Sequence, residues 1–376
     1  MEVRPSLVPE ASRILDLARK DRSAAQAALS SLSLDAQVAM VCEAPIARRG
    51  SLLELFPSPE DVIPLIPEAE LCFTIKGVGL GDASWIVEYA TPSQIVASVD
   101  LDAWSGLDID LAVLDQWVTT LAATNEATLV RNLQALDTEL LVRYLRGRVA
   151  VYLDPKDEEW QAPPGAQTLD GQFYTLPLQK NDDVAALYRG LQILFRDDYW
   201  LYYRIMQGGI WELDGDLEEW ALRWRSGRLE DLGFPAWDRA MRLYGFLRPE
   251  QRGEIPAGPD PLDIQAWQMP VWISELPAAQ DSRHLVFRAI SELESAERQA
   301  FFYAFISIAN KVAVADRMPL GDPETLPTAL ERAAEFTSLG LEFVARENKL
   351  GSADVLRRVT LERLFRVGAS LSGSDQ

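Results

Sequence analysis

Apolar residues recur at steps of three and four along most of this 376-residue chain. That period suits one face of an α-helix and does not suit a strand. Residues 7–20, 33–43 and 110–121 show it most plainly. Helix starts are marked as well. Thr91 before Pro92 supplies an N-cap with proline at the first helical position, Asp137 can cap a helix running to Arg146, and Ser33 and Asp322 offer similar starts. Only residues 148–153 (RVAVYL), 172–178 (QFYTLPL) and 271–274 look extended. The predicted fold class is therefore mainly α, with short capped helix pairs and a small β hairpin or edge element.

The helix pairs hint at repetition. Residues 84–99 and 128–145 each carry an apolar helix to a capping residue, Thr91 or Asp137, where a second apolar helix begins. Aligning the caps gives an offset of 46 residues and matches Ile95 with Leu141, Val96 with Val142 and Val99 with Leu145. A helical array needs about three such units to bury a continuous core, and two are visible. Charged and Pro/Gly-rich stretches at 154–171 and 248–261 read as loops. They suggest an acidic helical module over 1–150 and a helical body over 151–376, with long helices near 281–315, 323–349 and 352–370.

Charge narrows the partners. The chain holds 57 Asp+Glu against 36 Lys+Arg, a net charge of −21. Residues 50–130 alone hold 13 acids against one base, Lys76, whereas residues 266–376 carry only −3. A backbone of phosphates or an anionic membrane would be repelled, so neither nucleic acid nor membrane insertion is expected. The strongest apolar run, residues 300–309, is about half the roughly 20 residues that a bilayer requires. The first 22 residues lack an apolar signal core, and Cys42 and Cys72 stand in apolar contexts without a CxxC pair. Reduced, buried thiols in a cytoplasmic protein are the expectation. The acidic stretch reads first as a solvated face, and functionally as a docking face for a basic protein or a site for a divalent cation. Oligomeric state is left open.

Few catalytic constellations can be built. His284 is the sole histidine, no G-x-S-x-G occurs, and one His with two Cys cannot assemble the common zinc sites. Residues 76–82 (KGVGLGD) imitate a dinucleotide turn, but Asp82 stands where the third glycine belongs, and a turn between helices is the better reading. Asp100, Asp102, Asp108 and Asp110 are the candidate metal ligands, because alternating acids could offer a hard cation several oxygens. An EF-hand does not fit, since its glycine and glutamate positions fall on Ser105 and Leu111. Helix capping explains the same aspartates.

The aromatic segment 195–228 supplies the candidate binding residues Trp104, Trp220, Trp224, Arg223, Arg225 and Arg228, with Trp104 joining from upstream. Leu217, Trp220, Ala221 and Trp224 fall at helical steps and read first as one core stripe; a groove for a peptide or sugar is the functional alternative. The arginines read first as salt-bridge partners for Glu218, Glu219, Glu230 and Asp231, and otherwise as an anion site.

Residues 217–234 (LEEWALRWRSGRLEDLGF), with Pro235 and the 240–244 helix, resemble an uncharacterised bacterial family, domain of unknown function 6178. Residues 90–104 (ATPSQIVASVDLDAW) and 363–368 (RLFRVG) resemble the same family. The resemblance spans residue 50 to the end and implies no activity or catalytic residue. Residues 50–146 are similar in their capped pairs to the cytosolic N-terminal helical domain of MgtE-type magnesium transporters, a resemblance that implies magnesium sensing at acidic surfaces. The expected function is a non-catalytic interaction or regulatory scaffold with an acidic docking face. The alternative is a carboxylate-dependent enzyme with its site near 195–228.

Overall fold

A computed structural model describes residues 7–179, 183–257, 261–262 and 283–373. It is mainly α with two small sheets, as the periodicity predicts. The chain divides into two compact units, Met1–Arg225 and Ser226–Gln376. The acidic module of residues 1–150 lies wholly within the first unit, which continues through the hairpin and three further helices.

The first unit opens with α1 (Val8–Ala18), α2 (Arg22–Ser30), α3 (Leu34–Glu43), α4 (Ile46–Leu53), α5 (Pro59–Val62) and α6 (Glu68–Val78). It continues with α7 (Ser84–Tyr89), α8 (Pro92–Asp102), the two-residue strands β1 (Trp104–Ser105) and β2 (Asp108–Ile109), α9 (Leu111–Ala122), α10 (Glu126–Ala135) and α11 (Thr138–Arg148). Three pairs share one break. Ala44, Ala90 and Leu136 each close a helix in extended geometry, with ψ of 145, 148 and 150°, and each amide donates to the carbonyl four residues back. The next residue, Pro45, Thr91 or Asp137, is the N-cap of the following helix. The three breaks recur at the 46-residue step seen between two copies in the sequence, so the array has the third copy that a continuous core requires.

Equivalent positions across the copies are buried. Val41, Val87 and Leu133 form one such set, and Leu53, Val99 and Leu145 another. Two sets contain a polar member. Arg49 stands where the other copies have Ile95 and Leu141, and its guanidinium is answered by Glu70 at 2.6 Å and by the Ala44 and Cys42 carbonyls. Asn132 stands where they have Met40 and Ile86; both of its buried amide atoms lack a hydrogen-bond partner among the described residues.

Strands β3 (Val149–Leu153), β4 (Gln167–Thr168) and β5 (Phe173–Pro177) form an antiparallel sheet in the order β3-β5-β4, with Val151 opposite Thr175. This is the expected hairpin, with β4 added from within the 154–171 loop. Helices α12 (Ala185–Asp197), α13 (Tyr199–Trp211) and α14 (Asp214–Asp231) follow, and the unit division falls inside α14.

The second unit contains α15 (Trp237–Met241), α16 (Pro249–Arg252), α17 (Leu285–Ile290), α18 (Ser295–Ala315), α19 (Thr325–Asn348), α20 (Ser352–Leu356) and α21 (Leu361–Ser372). Two helices expected to be continuous are broken. Glu294 and Glu297 form a capping box that restarts the chain as α18, and Thr360 caps α21 by accepting from the Arg363 amide. Asp322 accepts from the Glu324 amide, but α19 starts only at Thr325. The extended segment expected at 271–274 lies outside the described residues. The apolar run at 300–309 lies inside α18 and buries Phe301, Phe305, Ile306 and Ala309. No helix among the described residues is long and apolar enough to cross a membrane.

Helices α19 and α21 meet through glycines. A Cβ on Gly340 would stand 1.9 Å from the Leu364 carbonyl oxygen, and one on Gly368 1.9 Å from the Phe336 carbonyl oxygen. Backbone is thus packed on backbone at both positions. Gly340→Ala and Gly368→Ala should each cost about 3 kcal/mol, read as a lower thermal midpoint. Gly215→Ala, at an open helical position of α14, should be neutral or slightly stabilising. Asn132→Ile should stabilise the protein by about 1 kcal/mol in denaturant unfolding, because it removes two buried unpaired polar atoms.

Candidate interaction surface

Helix α14 is oriented by a buried row at steps of four: Leu217, Ala221, Arg225 and Leu229. An arginine in such a row must have its donors satisfied. Arg225 is 7% exposed, its Nε donates to the Asp100 carbonyl at 2.7 Å, and its Nη1 donates to the Gly106 carbonyl at 3.4 Å. Asp100 lies in the last turn of α8, where helical carbonyls lack intrahelical partners and a cation is favoured. Gly106 turns the β1–β2 hairpin with φ of 65°, a conformation that glycine adopts without strain. The guanidinium also lies 4.8 Å from the Trp104 ring centroid. Trp104 and Arg225, both candidates for ligand contact, therefore face each other in the interior.

Seating Arg225 in the row turns Trp220 and Trp224 outward. Leu217 and Ala221 are buried as the stripe predicts, but Trp220 and Trp224 are 46% and 48% exposed. The two indoles stack with centroids 6.1 Å apart and planes inclined by 27°. Exposed Arg223 sits over the Trp220 ring at 5.2 Å. Arg228 is half-buried and belongs to the stretch of α14 assigned to the second unit. Upstream, Trp200, Trp211 and Leu213 are also exposed, whereas Tyr202 is buried edge-on to Phe195. The aromatic segment thus divides into an internal cluster and an outer surface. Exposed tryptophans at this density are unusual for a chain with no partner.

Acids surround this outer surface. Glu212, Asp214, Asp216, Glu218 and Glu219 occur with no base between Trp211 and Trp220. Asp214 pairs with Arg146 at 2.5 Å and Glu218 with Arg143 at 2.7 Å, fastening α14 to α11. Exposed Glu212, Asp216 and Glu219 form no ion pair among the described residues.

The acidic stretch at 50–130 is engaged in part internally. Glu70 meets Arg49, Asp115 meets Arg148 and the Tyr144 hydroxyl, and Glu126 meets Arg196. Glu88 accepts from the Asn125 amide. Asp102 accepts from Lys76 at 2.5 Å and from the Trp117 indole at 3.0 Å. Asp110 caps α9 by accepting from the Ala112 and Val113 amides, Asp100 is buried, and Asp108 is exposed on β2. Of the four candidate metal ligands, Asp102 and Asp110 hold the partners just given. No group of three or more His, Cys, Asp or Glu among the described residues is placed to hold a metal ion.

Other sequence candidates are structural. Residues 71–75 lie in α6, whose end is closed by Gly79 at φ of 97°, so the glycine motif is a turn between helices. His284 caps α17, its Nε2 is 3.0 Å from Glu331, and Arg283 pairs with the same carboxylate. Burial and the Arg283 charge hold its imidazole below the ordinary range. A cavity of about 30 Å³ between α9, α10, α11 and α12 is lined by Val118, Leu133, Leu141, Leu187 and Leu191. It is apolar and about the size of one water molecule.

Arg225→Met should destabilise the protein by about 3 kcal/mol in denaturant unfolding, since it strips donors from buried carbonyls. Trp220→Ala and Trp224→Ala should each stay within about 1 kcal/mol of the parent, because both rings are half exposed.

No curated protein and no solved structure matches the chain. The family of unknown function DUF6178 matches residues 26–374, nearly the whole length, and the chain belongs to that family.

Proposed function

We propose that this protein is a non-catalytic interaction scaffold whose acidic docking face engages a basic protein partner. The observation that carries the reading is the outer face of the α13–α14 corner, where Trp211, Leu213, Trp220 and Trp224 are exposed beside Glu212, Asp216 and Glu219. Exposed large apolar groups rimmed by charge are the usual composition of a protein-binding patch. The sign of the rim selects a basic partner and speeds its encounter. Some carboxylates at 50–130, Glu70, Asp102, Asp110, Asp115 and Glu126 among them, serve a cap or ion pairs, which lowers the charge that stretch presents outward. A cytoplasmic location fits the free, buried Cys42 and Cys72, whose thiols burial pushes well above the ordinary range.

The test is calorimetric titration of the full chain with a lysine- and arginine-rich peptide at low and physiological salt. Binding should weaken by about tenfold between 50 and 200 mM salt, and Glu212→Gln, Asp216→Asn and Glu219→Gln together should weaken it by about tenfold at low salt. An affinity indifferent to salt and to these three substitutions would refute the acidic-face reading.

A further inference from the structure

The tryptophan pair permits a sharper statement about the ligand, one that rests on the acidic-scaffold reading. Four occupants suit exposed indoles in principle: an apolar side chain, a nucleic-acid base, a second copy of this chain and a cation. A purely apolar ligand gives no role to the carboxylates, which would be partly desolvated by its arrival. A base would stack on the rings, but its phosphates would approach Glu212, Asp216 and Glu219, none of which has an ion-pair partner among the described residues. A second copy would oppose the same acids and a net charge of −21 with their like. A cation is favoured by both features, because indole faces attract positive charge through their quadrupole and the carboxylates add long-range attraction.

Among the described residues an arginine lies over an indole three times, the third being Arg317 at 4.9 Å from the Trp237 centroid. Arg223 lies 5.2 Å from the Trp220 centroid on the solvent side, and Arg225 lies 4.8 Å from the Trp104 centroid inside. Aligned guanidinium on indole is thus the arrangement these residues adopt when a cation is within reach. We infer that Trp220 and Trp224 are the recognition residues for an arginine or lysine side chain on a basic segment of the partner protein. The two rings are stacked and half exposed, and the exposed carboxylates Glu212, Asp216 and Glu219 lie on the same segment of the chain. Arg223 already occupies a face of Trp220, so a partner's cation displaces it or takes the exposed Trp224 ring.

The experiment titrates hexa-arginine into the full chain and compares it with hexa-citrulline, its neutral isostere. Hexa-arginine should bind and hexa-citrulline should not. Trp220→Leu with Trp224→Leu keeps apolar surface but removes the ring quadrupoles, and should weaken hexa-arginine binding about tenfold while leaving the thermal midpoint nearly unchanged. Should the double variant fold poorly, the single variants Trp220→Leu and Trp224→Leu read the same loss in smaller steps. Hexa-arginine affinity unchanged by the leucine variants overturns the assignment to the tryptophans while leaving the acidic scaffold standing. Absence of any hexa-arginine binding overturns both. Competition by a short oligothymidylate would replace the cation with a stacked base and overturn the assignment made here.

Discussion

A buried guanidinium in the α14 core row fixes what this surface can be. Arg225 occupies a position that periodicity assigns to an apolar side chain, and it is tolerated because three groups answer it: the Asp100 carbonyl at the end of α8, the Gly106 carbonyl in the hairpin turn, and the Trp104 ring. Those acceptors lie on one corner, so α14 can dock only with Arg225 toward it. At about 100° per residue, Trp220 and Trp224 each lie about 100° around the axis from the next residue, Ala221 or Arg225, and fall to one side of the centre of the buried row. The exposed indoles follow from how the arginine is satisfied.

The same logic recurs in the array. Arg49 takes the place of Ile95 and Leu141 in the first copy, and Glu70 from α6 neutralises it where both side chains are only 7% exposed. A charge of this kind is strongly destabilising if its partner is removed, and it gains little over a well-packed apolar pair. Lys76, Asp102 and the Trp117 indole form a comparable group in the next copy. Part of the acidity of residues 50–130 therefore belongs to internal chemistry: carboxylates cap helices or meet arginines drawn from outside the stretch, such as Arg49, Arg148 and Arg196. Exposed carboxylates without an ion-pair partner among the described residues remain at Glu54, Glu60, Asp61, Asp82 and Asp108, and Glu212, Asp216 and Glu219 add three more beside the exposed tryptophans.

How much of this the residues disclose depends on whether the signal is local. The capped pairs at Thr91 and Asp137 are legible because polar capping residues stand at the breaks. The third copy is hidden because its N-cap is Pro45, which offers no side-chain acceptor, and because Arg49 disguises an apolar position. The β3–β5 hairpin is legible from two apolar extended runs, whereas β1 and β2, at two residues each, are below any pattern. Trp104, Trp220, Trp224, Arg223 and Arg225 can be singled out as a group, but their division into an inner pair and an outer trio cannot. That division depends on the Asp100 and Gly106 carbonyls, more than a hundred residues away along the chain. Long-range satisfaction of a polar group leaves no periodic trace.

For a chain that has only to fold, burying the outer tryptophans is the cheaper solution. Rotating α14 by roughly 100° would bury both indoles and release an arginine to solvent, with each fully buried large side chain contributing about 2 kcal/mol. The ion pairs Arg143–Glu218 and Arg146–Asp214 oppose such a turn, since they hold α14 to α11 from the side that faces away from the tryptophans. Arg225 opposes it from the interior. Two independent sets of polar contacts thus maintain an orientation that leaves hydrophobic area unburied. Such an arrangement is what a surface reserved for another molecule requires.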